Sequence, residues 1–175
     1  MIDLYELSIG TSHRVLDATI NVMVKGASYF KKQEIDANDI LDMQLAPDMA
    51  PFPFQVNVVC HHSLHAANAL LAGEMTIPTE TPQLNYQGLI DFLKDHLAQL
   101  TAIDADAINA CNGKMVYFRT QGLELPFTAE NFVMSFTHPN LYFHATTIYN
   151  MLRIKGVPLG KMDFMGKMNV ELSNT

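Results

Sequence analysis

The sequence predicts a mainly all-α protein: a four-helix bundle with a long crossover between helices one and two and a small β-hairpin before helix four. Three observations carry this. Four stretches repeat apolar residues at alternating spacings of three and four, glycines stand where two of those stretches stop, and one short segment near residue 120 switches to an alternating pattern. With 175 residues, 49% of them hydrophobic and 17% charged, the chain has enough apolar surface to offset the entropy of ordering, so one domain spanning 1–175 is expected.

Helix one, about residues 3–33, is the clearest element. Ile9, His13, Leu16, Ile20, Met23, Ala27 and Phe30 fall on one predicted face, which places a histidine on the bundle seam. Residues 34–53 follow as an ordered crossover, with a short helical turn near 36–43 and Pro47, Pro51 and Pro53 blocking any longer helix. Helix two, about 53–72, carries a stripe of Val56, Val59, Ala66 and Leu70 with His62 and Ser63 at its middle, and Gly73 supplies the left-handed stop. On this phase His61 and His65 lie off the stripe, at the rim.

Pro78 and Pro82 mark a loop before helix three, about 84–101, whose face is Tyr86, Ile90, Leu93, Leu97 and Leu100, with His96 on its flank. The hairpin spans about 114–127 around Thr120-Gln121-Gly122. Helix four, about 128–155, opens with Thr128 as cap and Phe127 and Phe132 as a hydrophobic staple. It is expected to kink at Pro139, which cannot donate to the carbonyl four residues earlier, and to stop at Gly156. Beyond it Leu159, Met162 and Phe164 are expected to lie across the bundle.

Composition excludes several functions. The net charge of −7 is spread along the chain with no basic run beyond Lys31-Lys32, which argues against nucleic acid and anionic membrane surfaces as partners. No apolar stretch reaches the roughly 18 residues of a membrane span. The acidic first residues and the two isolated cysteines, Cys60 and Cys111, point to a cytoplasmic protein. There is no nucleophile elbow, phosphate-cradling glycine loop or dinucleotide fingerprint. Asp48 and Asp163, each set among apolar residues, read as tethers of their loops.

The chemical signal is the set of seven histidines, His13, His61, His62, His65, His96, His138 and His144. His144 falls among core-facing positions of helix four, as do His13 on helix one and, more loosely, His62 on helix two. Imidazoles converging from separate helices are the arrangement from which bundle-core metal sites are built. His138 and His144, six residues apart, point about 120° away from one another and do not share an ion. The bland reading of each histidine is a core residue satisfied by a hydrogen bond.

Several segments carry a resemblance: Leu4-Tyr5-Glu6-Leu7, Leu45-Ala46-Pro47-Asp48-Met49, the His62 region, Pro139-Asn140-Leu141-Tyr142-Phe143-His144 with Thr146-Thr147, and Gly156 to Phe164. Through them the chain resembles the DinB/YfiT-like four-helix bundle superfamily and, within it, a bacterial subfamily labelled as a domain of unknown function. The resemblance implies a divalent ion, nickel or zinc, held by one histidine from helix two and two from helix four spaced four apart, and in some relatives thiol-dependent transfer or isomerisation. Carried onto this chain, the ligands are His62 and His144, while the remaining position holds Asn140. An amide oxygen is a poorer ligand than imidazole for such ions. His13 is the candidate third nitrogen, from helical phase alone.

The expectation is therefore a degenerate histidine pocket in the core, metal-free and either ligand-binding or structural, with Asn140 and Asn57 beside it and a small molecule as partner. The alternative is a divalent-metal-dependent enzyme of the thiol-transferase, isomerase or hydrolase type using His62 and His144. The apolar content is compatible with a homodimer in either case.

Overall fold

The computed structural model describes residues 2–78, 80–168 and 170. Its first long helix begins with a π-helical turn, Glu6–Gly10, and continues as α1, Thr11–Lys32. The crossover packs down as expected, with a 3-10 turn at Ala37–Ile40 capped by Asp36, whose side chain accepts from the Asn38 N–H, and with Ile40 buried. Asp48 is exposed there. Helix two is α2, Phe52–Cys60, a π-helical turn, His61–His65, and α3, Ala66–Ala72, ended by Gly73 at φ 81°. Every residue from Gln55 to Leu64 is buried, so this helix runs through the interior and has no solvent face over ten residues.

A strand the sequence pattern did not announce, β1 (Glu74–Thr76), follows at once. Then come α4, Tyr86–Thr101, capped by Asn85, and a short α5, Ala105–Asn109, capped by Asp104, also not anticipated because five residues are too few to show a period. The hairpin forms as β2, Met115–Thr120, and β3, Leu123–Thr128, turning on Gly122 at φ 80°. Pairing runs β1-β2-β3, with β1 parallel to β2 (Met75 opposite Phe118) and β2 antiparallel to β3.

Helix four is built from α6, Ala129–Asn131, a π-helical segment, Phe132–Thr137, and α7, His138–Ile154. Thr128 accepts from the Asn131 N–H at 3.4 Å, and the Phe127 and Phe132 rings lie 6.0 Å apart, as a staple requires. Pro139 sits in the first turn of α7, directly after the π-helical segment. The helix stops at Gly156, φ 88°.

After Gly156 the chain crosses back to helix one as α8, Lys161–Met165. Leu159 is buried and Phe164 half-buried, but Met162 is exposed, because only one side of so short a helix touches the bundle. Asp163 is a tether: it accepts from the Gly160 N–H at 2.8 Å and pairs with Lys25 on α1. The core lies between α1, helix two, α4 and α7, around Leu16, Met23, Phe52, Leu93, Phe132 and Ile148.

Candidate functional site

Two of the predicted site residues are set within the bundle, one on helix two and one on α7. His62 is buried in the π turn of helix two, and His144 adds, after burial and His61, to the lowering of its pKa. The His144 ring is half-buried between Phe54 and Phe143, at 6.1 and 5.1 Å between centroids, and Phe136 stands 5.4 Å from the His62 ring. Each ring thus has aromatic neighbours of its own.

The proton on His144 can be placed. Gln55 donates from Nε2 to the Ala50 carbonyl at 2.8 Å, which orients its amide, and its Oε1 therefore accepts from His144 Nδ1 at 2.7 Å. His144 carries its proton on Nδ1 and presents Nε2 as a lone pair. On His62, Nδ1 is buried and has no hydrogen-bond partner among the described residues. Burial is the first cause of the lowered pKa of both rings, with the neighbouring His61 and His144 adding to it for His62, which is pushed down to about 3, and His144 to about 4. Both are neutral near pH 7.

His61 is buried, not at the rim. The helical phase put it off the apolar stripe, but Val56, Val58, Val59, Cys60 and Leu64 leave helix two no polar side, and that all-round hydrophobicity was the signal. Burial pushes its pKa down to about 4, with His65 adding to the effect and the Thr76 backbone partly opposing it, and its Nε2 has no partner among the described residues. His65 is exposed and stacks on His96 of α4 at 5.7 Å and 18°, while His96 donates from Nδ1 to the Phe92 carbonyl at 2.8 Å. His62, His61, His65 and His96 therefore follow one another from the centre of the bundle to α4, at 5.4, 5.5 and 5.7 Å between neighbours.

The remaining predicted residues do not join. His13 is exposed and lines an outer groove with Glu6, Arg14 and Asp17. The buried stripe of α1 runs through Ser12, Val15, Thr19, Met23 and Gly26, and His13 lies about 120° from its centre at 100° per residue. The widened turn at Glu6–Gly10 breaks the phase that linked Ile9 to His13. Asn140 turns its Nδ2 onto the Phe136 carbonyl of its own helix at 2.7 Å, and Asn57 donates to the Glu80 carbonyl at 2.9 Å, which holds the loop before α4. Gln55, which sequence reasoning passed over, stands seven residues before His62, two turns away on the same face.

These positions bear on the implied ion. Among the described residues no group of three or more His, Cys, Asp or Glu side chains is arranged to hold a metal. Two imidazoles, an amide turned to its own helix and an exposed histidine elsewhere do not fit a three-imidazole site.

Fold and comparison agree on the class. The chain aligns with the crystal structure of a DinB family member protein from Shewanella denitrificans with a TM-score of 0.79 and 24% identity, covering 97% of this chain and 95% of that one. This is a DinB-like helical fold. Residues 4–165 match the family described as Domain of unknown function (DUF1993), and the chain belongs to that family. No curated protein matches the sequence. No helix among the described residues is long and apolar enough to cross a membrane.

Proposed function

We propose that this chain uses the His62–His144 pair, without a metal, to bind a small uncharged molecule that carries a hydrogen-bond donor on an apolar or aromatic body. The supporting observation is two neutral imidazoles on adjacent helices: His144 presents a lone pair at Nε2, and the buried Nδ1 of His62 has no hydrogen-bond partner among the described residues. An unpartnered buried polar atom costs about 1–3 kcal/mol, which a bound donor would offset. Phe54, Phe136 and Phe143 supply the apolar wall.

Elemental analysis of protein purified without a histidine tag tests the metal-free part. The expected result is substoichiometric nickel and zinc even after incubation with either ion. One equivalent of metal that is lost in His144→Ala refutes it. The binding part is tested by titrating small phenols and anilides while following the ring-nitrogen resonances of the histidines; shifts confined to His62 and His144 support it, and unchanged resonances refute it.

A divalent-metal-dependent enzyme of the thiol-transferase, isomerase or hydrolase type is the second reading. It is favoured by the placement of His62 on helix two and His144 on helix four, the two helices that the resemblance names. It requires Asn140 to release the Phe136 carbonyl and turn its oxygen inward.

A further inference from the structure

Three π-helical turns occur among the described residues, one in each of three bundle helices: Glu6–Gly10, His61–His65 and Phe132–Thr137. In each the hydrogen bond spans five residues, from the Thr11 N–H to Glu6, from Ala66 to His61 and from His138 to Val133. Such turns carry one residue more than an α turn, widen the helix, and recur at functional positions in proteins. Here they meet. Ser8 from the first, Ser63 from the second, and Val133 and Thr137 from the third line one small cavity of about 10 Å³, together with Ser12 and the apolar Ile9, Ala66, Ala67 and Leu70.

Four hydroxyls surround this void, and all four residues are more than nine-tenths buried: Ser8 at 5%, Ser12 at 5%, Ser63 at 1% and Thr137 at 2% exposure. Three of them spend their only proton on their own helix. Ser8 donates to Leu4 at 2.6 Å, Ser63 to Val59 at 2.8 Å with Cys60 at 3.0 Å, and Thr137 to Val133 at 3.2 Å. A hydroxyl has one donor and two lone pairs, so these three oxygens can only accept anything further. Ser12 lines the same cavity, and its hydroxyl can rotate to offer its proton there.

We propose that this cavity holds one permanently bound water molecule, which donates to two of the Ser8, Ser63 and Thr137 oxygens and accepts from Ser12. The size is at the threshold of about 10–15 Å³ at which a polar cavity takes up one water, and buried waters make about three hydrogen bonds each. A cation fits the site less well, since no carboxylate lines it and Ser12 can turn a proton inward. The water would join helix one, helix two and helix four at a single point. Ser63 belongs to the same turn as His61, His62 and His65, so the bound molecule would also fix the turn that aims those rings. This holds whether or not His62 and His144 bind a ligand.

A crystal structure of the full chain at a resolution that shows ordered solvent tests the proposal, with Ser12→Val as the variant that fills the void and removes the donor. The expected result is a solvent peak within hydrogen-bond distance of at least three of the four hydroxyls, absent in Ser12→Val. Should Ser12→Val fail to fold, Ser12→Ala serves, with loss or displacement of the peak expected. A void without density that takes up xenon under pressure overturns the proposal, as does a peak with the density and short contacts of a metal ion.

Discussion

Gly26→Ala is the substitution for which the structure gives the sharpest expectation. Gly26 is buried on α1, and a β-carbon there would lie inside 3.0 Å of Tyr86 Oη and at 3.1 Å from Leu152 Cδ2. The tyrosine cannot easily yield. Its hydroxyl donates to the Met23 carbonyl at 2.9 Å, and its ring stacks on Phe52 and meets Phe30 edge-on, both at 5.9 Å. Overpacking costs about 1–3 kcal/mol, and loss of the Tyr86 hydrogen bond about 1 kcal/mol more. Against these stands about 1 kcal/mol from replacing glycine by alanine within a helix. The net expectation is a loss of about 2 kcal/mol, read as a fall of about 4–8 °C in Tm for a protein of this size. Tyr86→Phe removes the clashing oxygen and leaves Cζ at 3.6 Å, with only the Leu152 Cδ2 contact still tight, so Gly26→Ala should cost much less in that background than in the parent. A double-mutant cycle by urea unfolding measures this coupling. Additive effects, or a Gly26→Ala protein at least as stable as the parent, would refute the packing argument.

Acid should weaken the fold before any carboxylate titrates. His61, His62 and His144 have folded pKa values pushed below their ordinary 6.5, so the unfolded chain takes up protons first as pH falls. Their contribution is complete above about pH 6.5 and is eroded as pH falls towards 4, so the urea midpoint should drop between about pH 7.5 and pH 5; a flat profile would contradict the burial of these rings. The carboxyls held low, Asp163 by the Gly160 N–H and Lys25, and Glu130 by its hydrogen bonds, act only at more acidic pH. Asn85→Ala removes an acceptor at 2.7 Å from the Gly88 N–H at the start of α4 and should cost about 1 kcal/mol in the same unfolding assay, with no loss placing the cap elsewhere.

Much of this architecture was readable before the structure. The three-and-four spacing of Tyr86, Ile90, Leu93 and Leu100 located α4, and Gly73 and Gly156 marked helix ends because each must adopt positive φ. What escaped has several causes. A π turn adds a residue without any compositional mark, so the step from Ile9 to His13 gave the wrong face, whereas the step from His62 to Ser63 stayed inside a helix buried all round. The partnership of Gln55 with His144 spans 89 residues and could not be derived from either helix alone. Three-residue β1 was hidden because Glu74-Met75-Thr76 is too short to show alternation, and its pairing is set by the tertiary approach of β2.

The parallel pairing of β1 with β2 gives the bundle a clasp. Helix two passes through Gly73 straight into β1, the Gly73 carbonyl receives the Tyr117 N–H at 2.9 Å, and Arg119 grips both Glu74 and Glu124 from the middle strand. The hairpin and the turn bearing His61 and His62 are thereby joined through one unbroken run of backbone, from the π turn through α3 and Gly73 into β1.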